Sequence, residues 1–75
     1  MNNLTDQLDA IRRLPSPRLR RAIRKDAHIT QADIATELHV HRMTIARWEA
    51  GVHEPRGEML RKYVQVLDAL REVTS

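Results

Sequence analysis

Apolar residues recur along the chain at spacings of three and four, the signature of helices, and nowhere alternate with period two for long enough to make a strand. Leu4, Leu8, Ile11 and Leu14 stand four, three and three residues apart. This predicts a first helix from Asn3 to Leu14, with those four residues as one apolar stripe that must cover something. Pro15 ends it. Ser16-Pro17 then offers a capping hydroxyl and a proline at the first helical position, where its missing N–H costs nothing. A second helix starts there, with Leu19, Ala22, Ile23 and Ala27 as its apolar face.

Thr30-Gln31-Ala32-Asp33 has the form of a capping box, with Asp in place of the usual Glu. Ile34, Ala35 and Leu38 face inward from the helix it opens. His39-Val40-His41 has poor helix propensity and interrupts the stripe before Ile45 and Trp48 resume it, so a tight turn joins two short helices. Gly51 stands where a left-handed residue closes a helix, and Pro55 follows, so the second short helix stops near Ala50. The last helix, 57–73, carries Leu60, Val64, Leu67 and Leu70/Arg71 on one face, while Met59, Val66 and Val73 recur at seven-residue spacing as a spare stripe. The expectation is an all-α fold of five helices in a single domain, 1–75.

Composition narrows the class. With 41% apolar residues and no cysteine, the chain is suited to fold, in a reducing cytoplasm, without disulfides or a thiolate zinc site; oligomerisation is one way to add stability. Nothing reads as a leader or a membrane span. The formal charge is only +3, but between Arg12 and Lys25 stand seven bases and no acid, six of them arginine. The planar guanidinium suits phosphate, which tilts the reading towards nucleic acid. His28, His39, His41 and His53 lack the spacing of a metal-binding pair, neither serine has a neighbouring His-acid arrangement, and no glycine-rich phosphate loop exists. No metal, cofactor or small-molecule substrate is expected, and no enzyme.

Residues 31–50, QADIATELHVHRMTIARWEA, resemble the helix-turn-helix of phage repressor and Cro-type regulators. Gln31 opens the first helix and Ala35 sits where the two helices approach closely. Ile34, Leu38, Val40, Ile45 and Trp48 occupy the inward positions, and Trp48-Glu49-Ala50-Gly51 followed by Pro55 resembles the stretch that closes the recognition helix. The likeness spans roughly Leu19 to Leu67. It implies a lambda-repressor-like domain, extended by the N-terminal helix, that reads an operator in duplex DNA. Such a regulator acts by occupying its site, commonly as a homodimer, at the nucleoid of a bacterial host cell.

With Ile45 and Trp48 turned inward, Arg42, Met43, Ala46 and Arg47 fall on the outer face. Arg42 and Arg47 can each form the bidentate guanine pair, and Met43 suits a thymine methyl. The resemblance places base contacts at Arg42, Met43 and Arg47 with His41 beside them, and backbone contacts at Gln31, Thr44 and Arg56. Arg18, Arg20 and Arg21 are further backbone candidates. Arg24 and Glu49 are implied as an internal ion pair. His39 stands where the motif normally has glycine, so it must adopt a left-handed conformation. Two other readings stay open: a protein-interaction adaptor or antitoxin on the same fold, and a DNA-architectural or recombination accessory protein. For the homodimer, the spare Met59/Val66/Val73 stripe is the candidate interface.

Overall fold

The computed structural model describes residues 4–74. It holds α1 (Leu4–Arg13), α2 (Pro17–Asp26), α3 (Gln31–Leu38), α4 (Arg42–Ala50) and α5 (Gly57–Thr74), with no strand among the described residues. Asn3, the expected first residue of the first helix, lies outside them.

The helix starts follow local chemistry. Ser16 Oγ accepts from Leu19 N at 3.4 Å, and Pro17 is the first helical residue of α2. At α3 the capping box is complete: Thr30 Oγ1 accepts from Asp33 N at 3.0 Å, and Asp33 Oδ2 accepts from Thr30 N at 2.9 Å. These bonds hold the Asp33 carboxyl below its ordinary range, the backbone bond most of all. Three helix ends share one closure. His28, His39 and Gly51 are left-handed, with φ of 59°, 58° and 75°. The next residue's N–H then reaches back over the last turn: Ile29 to Arg24 O at 3.2 Å, Val40 to Ala35 O at 3.0 Å, Val52 to Arg47 O at 3.0 Å. This is the Schellman closure, here with histidine twice in the place glycine usually takes. Ile29 and Val40 turn back onto the core.

The main core joins α2 to α5: Ile23, Ile34, Ala35, Leu38, Ile45, Trp48, Tyr63 and Leu67 are all buried. Ile45 and Tyr63 are wholly excluded from solvent. The Trp48 indole leans on the Tyr63 ring, with centroids 4.7 Å apart and planes at 45°, a tilted arrangement that aromatic quadrupoles favour. Burial raises the Tyr63 hydroxyl above its ordinary ionisation range, so it stays protonated.

Three expected faces are rearranged. The stripe Leu4/Leu8/Ile11 is not buried: the side of α1 that lies on Leu60 and Val64 of α5 is Ala10, with Leu14 beside it, whereas Leu4, Leu8 and Ile11 are 69%, 52% and 58% exposed. The phase of α1 is set by its anchors, an ion pair from Arg13 to Asp68 of α5 and a joint at Pro15, whose carbonyl accepts from Arg20 Nε at 2.7 Å. In α2, Leu19 and Ala22 face solvent, and the inward row is Arg20, Ile23, Arg24 and Ala27. Arg20, expected at a DNA backbone, is therefore a core residue, only 3% exposed. In α5 the seven-residue stripe is not spare, since Met59 and Val66 pack on the core and only Val73 stands out.

Gly51 does two things at once. Its φ is left-handed, and a Cβ there would meet Pro17 Cγ at 3.2 Å, so the end of α4 sits hard against the start of α2. Gly51→Ala is expected to lower unfolding free energy by about 1–2 kcal/mol through the left-handed penalty alone, which thermal denaturation would register as a drop of roughly 4–16 °C.

Candidate nucleic-acid interface

The α4 sequence divides by direction. Ile45, Trp48 and Glu49 point inward, and His41, Arg42, Met43, Arg47 and Ala50 are exposed. At 100° per residue the outer arc runs from Arg42 through Ala46, Ala50 and Met43 to Arg47. The two arginines therefore flank a centre of small or flexible apolar residues. His41 is the N-cap residue, extended at φ −70° and ψ 145°, with no capping bond from its side chain. Its carbonyl accepts from Thr44 N at 2.9 Å, and Thr44 itself is half-buried.

A chain of polar contacts crosses beneath this arc. Arg24 of α2 forks onto Glu49, Nε to Oε2 at 2.6 Å and Nη2 to Oε1 at 3.0 Å, and its Nη1 donates to Ile29 O at 2.9 Å. Gln31 Nε2 donates to Glu49 Oε1 at 3.1 Å, and Gln31 Oε1 accepts from Arg42 Nη1 at 3.1 Å. Donating these hydrogen bonds to Glu49 raises the Arg24 guanidinium pKa above its ordinary range, against the opposing effect of burial. Arg24 is thus held in the structure, and Arg42 is tethered through one of its five donors, leaving the others available.

Gln31 and Arg42 border an open cleft that Arg21, Thr30, Ala32, Ala46 and Ala50 also line. Three arginines, Arg21, Arg24 and Arg42, line it against the single carboxylate of Glu49, which leaves the cleft at the start of α3 with an excess of positive charge. Arg18 is exposed one turn before Arg21 on α2, and Arg56 is exposed at the start of α5, its carbonyl accepting from Leu60 N. Of the expected site residues, Arg21, Gln31 and Arg42 share this cleft, His41, Met43 and Arg47 are exposed on or beside α4, and Arg20 is turned into the core.

Arg20 is the residue that composition concealed. It donates to Pro15 O, to Trp48 O at 2.9 Å, and by both Nη atoms to Glu54 at 2.7 and 2.9 Å. One guanidinium so ties the α1–α2 joint, the last turn of α4 and the loop after it. The hint in the sequence was the acid Glu54, which follows Gly51 in a loop otherwise without charge before Arg56.

The helix-turn-helix family profile matches residues 21–72, more than half of the chain. The chain belongs to the helix-turn-helix family. No curated protein and no solved structure matches it. α3 and α4 are the two helices of the helix-turn-helix, and His39, left-handed at φ 58° and ψ 44°, begins the turn between them. The domain is all-α and DNA-binding in class, and no helix among the described residues is long and apolar enough to cross a membrane. α1 lies outside the matched segment.

Two stability predictions follow from the buried guanidinium groups of this helix-turn-helix. Glu49→Ala leaves Arg24 buried without its counter-ion and Gln31 without an acceptor, and is expected to cost about 3 kcal/mol or more, a large part of the stability of a domain this small. Urea unfolding at neutral pH would reveal it; an unchanged midpoint would refute the role of the pair. The second concerns pH. Glu54 is held below its ordinary carboxylate range, first by the hydrogen bonds from Arg20. A depressed carboxylate contributes stability above its unfolded pKa, and that contribution is lost as pH falls through the folded value. Glu54→Gln should therefore destabilise at pH 7, and the gap between variant and parent should narrow progressively as pH falls below the ordinary glutamate range.

Proposed function

We propose that the protein is a sequence-specific regulator that binds an operator in duplex DNA, with α4 in the major groove, and controls transcription by occupying the site in the manner of the Cro and repressor proteins it resembles. One observation carries the reading: the outer arc of α4 presents Arg42 and Arg47 on either side of Met43, Ala46 and Ala50. Small residues at the centre let the helix axis approach the base edges, and a guanidinium on each flank suits guanine O6 and N7. Met43, 48% exposed, fits a thymine methyl, and His41 stands at the entry to the groove.

Gln31, Thr44 and Arg56 are assigned to the DNA backbone, with Arg18 and Arg21 extending the track along α2. The tether from Gln31 to Arg42 favours a division of labour in which a backbone-anchored glutamine sets the angle of a base-reading arginine. Two copies on a two-fold site, with recognition helices one DNA turn or ~34 Å apart, complete the reading.

Selection from a random duplex library tests it, followed by gel-shift titration on the selected site. Arg42→Ala and Arg47→Ala should each lose about 1–3 kcal/mol of discrimination, roughly 5- to 150-fold, at particular base pairs. Arg56→Ala should weaken all duplexes alike and lower the salt slope by about 1. A library that yields no preferred sequence, or arginine variants that bind the selected site as the parent does, would overturn the proposal.

A further inference from the structure

Along the polar contacts that run from Arg24 to Arg42, Gln31 is the one side chain that carries both a donor and an acceptor. A guanidinium can only donate, and a carboxylate paired with a guanidinium can only accept. Glu49 Oε1 accepts from Gln31 Nε2 at 3.1 Å, and Gln31 Oε1 accepts from Arg42 Nη1 at 3.1 Å. The polarity of the Gln31 amide is therefore dictated from both ends, nitrogen inward and oxygen outward. Reversed, it would set oxygen against the carboxylate and NH2 against a guanidinium, two repulsive contacts in place of two bonds.

We infer that Glu49 is a positioning residue for sequence reading: its carboxylate fixes which way round the Gln31 amide stands, and the amide oxygen so presented aims Arg42. The inference deepens the reading of Arg42 as a base-contacting residue and rests on it. Firmness is graded along the series from core to surface. The Glu49 side chain is 3% exposed and is gripped by Arg24 at 2.6 and 3.0 Å, and Arg24 is itself anchored on Ile29 O. Gln31 is half-buried and Arg42 exposed, so rigidity is handed outward from the packed end. A free arginine samples many rotamers, and ordering it on DNA costs entropy. An acceptor on Nη1 removes part of that cost before DNA arrives, and leaves Nε and Nη2 free to donate.

The geometry also separates the two arginines of the outer arc. The series ends on Arg42, at one flank of α4, and does not run on to Arg47 at the other. A reversed amide is therefore felt at the base pair read by Arg42 alone, whereas a general loosening of α4 would blur both.

Two substitutions separate the polarity of the series from its stability. Gln31→Met removes the amide and leaves Arg24 and Glu49 paired, so it carries the test even where Glu49→Gln lowers stability. In Glu49→Gln the new amide keeps its oxygen on Arg24 Nε, the shorter of the two bonds, and turns its NH2 to Gln31, whose own amide must reverse. Combining Gln31→Glu with Glu49→Gln transposes the two groups at the same total charge and faces Arg42 with an acceptor again.

In the free protein, nitrogen relaxation should find the Arg42 Nε–H ordered in the parent, mobile in Gln31→Met and Glu49→Gln with an order parameter below about 0.6, and ordered again in the transposed pair. On DNA, at the base pair whose preference Arg42→Ala abolishes, the first two variants should lose about fivefold or more of discrimination. The transposed pair should regain it, and preference at the base pair read by Arg47 should persist throughout. Arg42 as mobile in the parent as in Gln31→Met, a transposed pair no better than Glu49→Gln alone, or equal loss at both base pairs overturns the inference. Arg42→Ala with every base preference intact overturns the base-reading role itself, whatever the relaxation shows, so the two failures give different results.

Discussion

The geometry of this protein depends on the seating of Trp48 and Ile45 beneath α4. A helix of nine residues is well below the about 12–15 at which an isolated helix becomes even marginally stable in water, so α4 exists because its inner face is packed. The indole against Tyr63 and the fully buried Ile45 hold that face on α5 and α3. Once two positions of a helix are fixed, its period fixes the rest, and Arg42 and Arg47 are carried to the outside.

Packing alone would leave α4 able to slide or rock, and two buried guanidinium groups add direction. Arg24 holds Glu49 near the last turn, and Arg20 holds the Trp48 carbonyl and the loop acid Glu54. Both arginines come from α2, one turn apart, so a single helix grips α4 at its end and the loop beyond. Charges so placed are tolerated because each meets a carboxylate with fork geometry and also satisfies backbone carbonyls. The same network reaches the surface through Gln31 and ends on Arg42. Arg24, Glu49, Gln31 and Arg42 thus form one hydrogen-bonded series, and a change at Glu49 would be felt at Arg42 on the surface as well as in the core.

α1 follows a different logic. It lies outside the segment matched by the family profile and covers the Leu60–Val64 side of α5, which would otherwise face solvent. Only a narrow strip is needed for that cover, and a small residue, Ala10, makes the close approach. The leucines and isoleucine that would form the obvious inner stripe are released to the surface.

Local order in this protein was written in the chain itself. The caps at Ser16 and Thr30, the break at His39, the stop at Gly51 and the inward pair Ile45 and Trp48 are all short-range signals, because capping and periodicity act within one or two turns. The outer face of α4 followed from the same periodicity, and the Arg24–Glu49 pair from a resemblance. The left-handed turn at His28 carried no glycine to announce it. What lay beyond the sequence depended on distant partners. Arg20 looked like a surface base until Glu54, thirty-four residues on, and the carbonyls of Pro15 and Trp48 were brought to it. Leu4, Leu8 and Ile11 looked like core until the anchors at Arg13 and Pro15 set the rotation of α1. The sequence by itself determined where helices begin, end and turn a face inward, since those choices rest on neighbours in the chain. Tertiary structure alone decided which charges were buried and which apolar face stayed outside, since burial is a property of what else arrives at the same place.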